Sequence, residues 1–367
     1  MTRLHELHQD HGQSPWLDNL KRGWLTSGEL ARWIERGVRG VTSNPTIFAK
    51  AIAAGDDYDD QFGDLASGGA SVEASYWEMV KRDIEDALAL LRPVYDASGG
   101  EDGYVSVEVD PGLARDPEGT YAAARELWGA IDEPNMYVKI PGTAEGLEAV
   151  RRSIAEGRSI NVTLLFGIER YGEVIDAYLD GLEALVAAGG DPTTVSSVAS
   201  FFVSRVDTLV DRRLTELGTD AALALRGRAA VANARLAYGL FVERFAGGRW
   251  DALAAQGARV QRPLWASTSM KDESRPDTLY VDELIGPGTV NTMPDATLEA
   301  FEEHGTLART VDTDLDDARQ VVAELAEVGI DLEEVAATLE DEGVASFSKS
   351  FDELLDSLST KAEALKR

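Results

Sequence analysis

The chain has 367 residues, 44% hydrophobic and 27% charged, ordinary values for a globular protein with a sizeable core. A net charge of −30 excludes nucleic acid as a partner, since a phosphate backbone needs clustered Lys and Arg, and any anionic small substrate must find its basic residues concentrated at one place. Cys is absent, which rules out disulfides, thiolate metal sites and a Cys nucleophile; MTRLHELHQDHGQSPW carries no apolar leader and no run reaches the roughly 18 apolar residues of a membrane span, so a cytoplasmic protein is expected.

From Pro15 onward, short apolar segments ending in polar residues alternate with longer stretches of helical period, the pattern of parallel βαβ units. Strands are expected at residues 16–18, 40–44, 104–110, 136–140, 160–166, 195–200, 263–267 and 280–290. Between them the periodicity predicts helices at 27–36, 76–95, 117–131, 144–155, 168–188, 203–217 and 228–245. Pro117 after Asp116 fits a helix start, because Asp caps and Pro suits the first turn. Residues 55–71, rich in Gly, Asp and Ala, read as a loop extension. Eight strands imply a closed α/β barrel, a single (β/α)8 TIM-barrel domain over 1–367. A helix at 295–303 and a helical extension from about residue 315 follow; the extension is too long for one barrel helix and is expected to fold back across the barrel.

Alternate side chains of a barrel strand face the interior, so parity tells which residues can share a site. Val105, Val107 and Val109 share one face of the third strand, leaving Ser106 and Glu108 on the other. Met136, Val138 and Ile140 leave Tyr137 and Lys139; Ile160, Val162 and Leu164 leave Asn161 and Thr163. Thr42 goes with Asn44, Asp18 with Trp16, and Ser196 with Ser200. Barrel interiors are ordinarily filled by branched aliphatic residues, so this polar collection at strand ends marks the C-terminal mouth as a site. Taken singly, each group is equally well read as a cap or a satisfied turn. Lys139 stands out because desolvation between Val138 and Ile140 favours the neutral, nucleophilic amine, unless it lies on an edge strand and reaches solvent.

Six co-linear segments, GVTSNPTIF, VSVEVDP, NMYVKIPGT, INVTLLF, SVASFFVSRVD and PLWASTSMKD, together with YVDELIGPGTVNTMP, resemble the transaldolase family across nearly the whole chain, in the long bacterial form also found fused to phosphoglucose isomerase. The resemblance implies a class I aldolase-type barrel without metal or cofactor, acting on sugar phosphates as a monomer or a homodimer. It would move a dihydroxyacetone unit from sedoheptulose 7-phosphate to glyceraldehyde 3-phosphate. It assigns the Schiff base to Lys139, acid/base work to Asp18, and a water-mediated proton transfer to Glu108 and Thr163. It gives Asn44, Asn161 and Ser200 to substrate hydroxyls, and Phe202, Arg205 and Ser267 to substrate binding, Arg205 meeting the phosphate. Shorter members carry an Arg soon after the equivalent of Ser267; here Lys271 supplies that charge from a shifted position, without the planar fork of Arg.

Two other readings compete: an aldolase that releases free dihydroxyacetone from the same lysine, and a silent sugar-phosphate-binding protein. Glu108 and Phe202 beside the site favour transfer, and an acid/base set next to a desolvated amine is more than binding requires. His5, His8 and His11 have helical spacing but read as a solvated face near the terminus. Asp312, Asp314 and Asp316 begin like a calcium loop, but Asp317 stands where Gly is needed and Ala323 where Glu is needed, so they read as a helix start. Gly286-Pro287-Gly288 reads as a turn.

Overall fold

The computed structural model describes residues 1–365. Eight parallel strands, β1 (Gln13–Leu17), β2 (Gly40–Thr42), β3 (Tyr104–Glu108), β4 (Met136–Pro141), β5 (Ile160–Leu165), β6 (Ser197–Phe202), β7 (Gln261–Ala266) and β8 (Thr289–Met293), close into a barrel in sequence order. Closure follows from the sequence pattern: Val41, Val105, Val107, Val138, Ile140 and Val162 bury one face of the sheet under the surrounding helices. The opposite parity fills the interior. At the N-terminal end it is filled by aromatic rings, Tyr104 stacked on Tyr137 at 4.1 Å and Trp16 against both. Gly40 is required there, because a Cβ would stand 2.4 Å from the Trp16 ring. Below the rings, Asp102 is gripped by Arg39 at 2.7 Å, Arg262 at 3.0 Å and Ser14 at 2.8 Å. Burial opposes its ionisation, but Arg262 and Arg39 outweigh that and hold the carboxyl at about 2. This end is a sealed plug, so chemistry is left to the other end.

Several elements differ from the sequence reading. Residues 279–282 form one turn of helix, Leu279–Asp282, that buries Tyr280 and Val281, and the eighth strand starts only after the turn at Gly286–Gly288. Residues 55–71 are no open loop: Asp59–Ser67 is helical, with Tyr58 and Phe62 buried. A further helix, Pro45–Ala53, leads directly from β2, with Asn44 as its cap and Pro45 in its first turn. Asp18 lies one residue past β1, and the expected helix at 27–36 is two helices, Arg22–Ser27 and Glu29–Arg36, parted at Gly28. On β5 the alternation holds for Ile160 and Val162 and breaks at Leu164, whose φ is +60°. The register with β6 shifts there, Leu165 facing Phe201, and the bulge turns Leu164 toward Gly343.

The C-terminal segment is two helices. Leu315–Glu327 packs on the barrel helix Ala229–Arg244, while Leu332–Leu365, 34 residues long, crosses the C-terminal mouth. This roof helix rests on Pro45–Ala53, Val72–Ala97, Ser204–Leu217 and β5, and Thr46 Oγ1 donates to Ser350 Oγ at 3.0 Å. Arg115 ties Glu340 at 2.9 Å and Asp341 at 2.5 Å, and Tyr76 meets Phe351 edge to face at 5.3 Å. The helix approaches Leu164 closely at Gly343, where a Cβ would stand 3.0 Å from that side chain and press on it.

Candidate active site

Register brings the two central groups together. Glu108 and Lys139 are direct partners on β3 and β4, so their side chains point inward side by side, Nζ 3.2 Å from Oε2. Both are enclosed, with side-chain exposures of 5% for Lys139 and 2% for Glu108. Lys139 Nζ also approaches the Ser43 carbonyl at 3.4 Å. The edge-strand reading of Lys139 therefore fails: a closed barrel has no edge, and the ammonium does not reach bulk solvent. Asp18 Oδ1 accepts from Thr42 Oγ1 at 2.7 Å, and Thr42 Oγ1 lies 2.7 Å from Thr292 Oγ1. Burial raises the pKa of both Asp18 and Glu108, with Lys139 opposing the shift in each case. Asp18 adds to the rise at Glu108.

Asn161 Nδ2 donates to Ser106 Oγ at 3.0 Å and its Oδ1 accepts from Ser200 Oγ at 2.7 Å, which fixes the amide orientation. Glu108 Oε1 and Thr163 Oγ1 are buried without a hydrogen-bond partner among the described residues. Buried polar atoms without a protein partner are suited to holding a small polar group. Asn44 is both cap and site residue: its Oδ1 accepts from Ile47 N at 2.9 Å while its side chain borders the cleft.

Above Lys139 opens a cleft of about 530 Å3. Asp18, Asn44, Lys139 and Ser200 line its inner end, and Phe202, Arg205, Ser267 and Lys271 its outer end. Glu108, Asn161 and Thr163 do not line it; Glu108 and Asn161 flank Lys139 in register on β3 and β5, Thr163 pairs with Pro141, and Glu108 borders a small space near Tyr76. Arg205 makes no ion pair among the described residues. The carboxylate of Asp207, a candidate partner for it, is occupied by Ala230 N at 2.8 Å and Tyr280 Oη at 2.9 Å. Burial lowers the pKa of Arg205, Glu342 opposing. Burial also lowers that of Lys271, reinforced by Arg205 and by Lys50 across the cleft. Arg205, Lys271 and Lys50 thus gather positive charge along one cleft in a protein of net charge −30. Ser267, at the end of β7, has φ +56° and sets its Oγ 2.9 Å from Ser204 Oγ, a strained conformation where the chain turns into the site.

Thr42, placed with Asn44 by parity, borders the cleft, and so do Lys50, Thr292 and Phe347, which the sequence did not single out. Thr292 was hidden by the misplaced eighth strand. Lys50 and Phe347 come from helices, where no parity rule applies. Elsewhere, Asp314 stands at the start of Leu315–Glu327 with φ +52° and no capping bond, and Asp312 pairs with Arg309, so these carboxylates converge on nothing. Gly286–Gly288 is the turn into β8. His5, His8 and His11 ride on the helix Arg3–His11, whose Leu4 and Leu7 are buried.

The profile of the family described as Transaldolase/Fructose-6-phosphate aldolase matches residues 15–358. The chain is 56% identical to the transaldolase of Thermobifida fusca over 97% of each chain. It is 54% identical to that of Parafrankia over 95% of each. With the transaldolase of Mycolicibacterium smegmatis it shares 51% identity over 97% of this chain and 96% of the relative.

Proposed function

The chain belongs to the transaldolase/fructose-6-phosphate aldolase family and is an enzyme of the transaldolase, class I aldolase type; from that premise we propose that Lys139 is the Schiff-base lysine and that Asp18 and Glu108 divide the proton transfers. The observation that carries this reading is the buried amine 3.2 Å from Glu108, at the inner end of a cleft that Asp18 also lines.

The neutral amine of Lys139 attacks the C2 ketone of sedoheptulose 7-phosphate or fructose 6-phosphate. The carbinolamine loses water as protons pass through Glu108 and a water held between it and Thr163, leaving an iminium. Asp18 takes the proton of the C4 hydroxyl, the C3–C4 bond breaks, and its electron pair enters the iminium to give an enamine. Erythrose 4-phosphate or glyceraldehyde 3-phosphate leaves, and the other aldehyde enters as acceptor. The enamine carbon attacks its carbonyl, Asp18 returns the proton, and hydrolysis frees Lys139. The raised pKa of Asp18 suits this double duty, since an acid that must also be a base works best when neither form is strongly preferred. Asn44, Asn161 and Ser200 orient the hydroxyls of the three-carbon unit, Phe202 packs beside it, and Arg205, Ser267 and Lys271 receive the phosphate.

Transfer, rather than release of dihydroxyacetone or silent binding, is the reading favoured by relatives matched over nearly their whole length. Among the described residues no helix is long and apolar enough to cross a membrane. We place the enzyme in the cytoplasm, working without metal or cofactor, as a monomer or a homodimer. The test is Lys139→Met, which keeps the volume and removes the amine: transfer should vanish while the melting curve stays cooperative. Retained transfer would overturn the reading.

A further inference from the structure

We propose that Phe347, on the roof helix, is a specificity-determining residue that commits the three-carbon intermediate to transfer by excluding water from it. This inference rests on the transaldolase reading above and names a residue that reading does not use.

Phe347 belongs to no barrel strand. It descends from Leu332–Leu365 into the cleft, only 4% exposed, with its ring centroid 6.0 Å from Lys139 Nζ and 5.9 Å from the Arg205 guanidinium carbon. One ring thus spans the amine end and the phosphate end of the same cleft. A carbon bonded to Nζ on the ring side would lie roughly 4–5 Å from the centroid, within van der Waals range, so the bound unit would be roofed by an apolar face. The ring is held in place from several sides. Thr46 and Ser350 join the roof helix to Pro45–Ala53, Arg115 holds it at Glu340 and Asp341, and Glu333 Oε1 accepts from Ile168 N at 3.1 Å.

The chemistry makes such a roof consequential. After C3–C4 cleavage the enamine has two fates. It can attack an acceptor aldehyde, or its carbon can take a proton from Asp18 or water, after which water adds to the resulting iminium and collapse of the carbinolamine yields free dihydroxyacetone and the Lys139 amine. The second route consumes one water and needs no other reactant. Hydrolysis of the iminium is common to both routes, so the step that separates them is protonation of the enamine carbon; an apolar ring over that carbon opposes proton delivery by solvent water while a large acceptor can still enter along the cleft.

The experiment measures partition: fructose 6-phosphate is supplied with erythrose 4-phosphate, and free dihydroxyacetone is counted against sedoheptulose 7-phosphate formed. Phe347→Ala should raise the ratio of release to transfer by at least roughly fivefold, whereas Phe347→Leu, which keeps an apolar cover, should stay within about twofold of wild type. Borohydride trapping on each variant keeps the two claims apart. Trapping at Lys139 with an unchanged ratio in Phe347→Ala would overturn the role of Phe347 alone, and loss of transfer in proportion to release would assign the ring to packing only. No trapping at Lys139 in the wild type would instead overturn the underlying mechanism. If Phe347→Ala fails to fold, Phe347→Gln, which retains much of the volume but places an amide over the amine, carries the same expected rise and the same overturning result.

Discussion

Lys139, enclosed to 5% side-chain exposure, has a carboxylate set beside it by register, and burial of the carboxylates around it carries the pH dependence of the site. For Asp18 the sign follows from burial: its acid form is favoured, so the ionised base is lost on acidification at a pH above the ordinary carboxylate value of 3.8. Cleavage of fructose 6-phosphate should accordingly show an acid limb whose midpoint exceeds that value, and Asp18→Asn should abolish cleavage at every pH; a limb at or below 3.8 in a pH–rate profile would contradict the assignment. Arg205 offers a second test. Its guanidinium is unpaired among the described residues and flanked by the rings of Phe202 and Phe347, at 5.4 and 5.9 Å. Loss of a charge-assisted contact to phosphate is worth about 2 kcal/mol or more, so Arg205→Ala should lower kcat/KM for fructose 6-phosphate at least roughly thirtyfold. Unphosphorylated dihydroxyacetone as donor should be little affected, and equal losses for both would mean general damage. Lys139, Glu108, Asn161 and Ser200 were legible from parity alone, because a strand writes its faces into alternate residues. Lys50 and Phe347 were not, because their place in the cleft is set by which way a whole helix runs.

At the level of elements, sequence and structure agree where a local device marks the boundary. Pro117–Ile131 agrees at both ends, since the Asp116 side chain accepts from Gly119 N at 3.0 Å and Pro117 starts the helix. They part where the device is tertiary. Tyr280 and Val281 looked like a strand because they are apolar, but their burial is earned against other helices; Tyr280 Oη donates to Asp207. The true β8, Thr289–Met293, holds only Val290 and Met293 as apolar residues and shows no apolar run. The bulge at Leu164 leaves no trace in the alternation, since it adds a residue without changing composition. Asp207 links Ser204–Leu217 to Ala229–Arg244 and Leu279–Asp282, and it yields a stability prediction. Burial raises its carboxyl from 3.8 to about 6, so its protonated form stabilises the fold below the lower value, and that contribution is lost as pH rises through the upper one. The difference corresponds to about 3 kcal/mol. Urea melts should show wild type losing up to that amount relative to Asp207→Asn between pH 4 and 6.5, and parallel curves would count against it.

For the whole molecule, the barrel separates stability from chemistry: the N-terminal end is plugged by Asp102 with its two arginines, while the C-terminal end is open and roofed. The fold class was legible from the count and spacing of strands, and the return of the tail across the barrel from its length; which residues the tail delivers was not. The net charge of −30 makes the Arg205, Lys271 and Lys50 cluster the local exception that an anionic substrate requires. In this mechanism the iminium is the electron sink, so EDTA should leave turnover unchanged. Inactivation by EDTA reversed by a divalent ion would show that the iminium is not sufficient.

The most direct test of the account is where the substrate carbon becomes attached. Borohydride added to the enzyme with fructose 6-phosphate should leave one reduced three-carbon adduct per active chain, and peptide mapping should place it on the segment containing Lys139, with no adduct in Lys139→Met. An adduct on Lys21, Lys50 or Lys271, each of which also lines the cleft, or full activity without any trapped adduct, would contradict it.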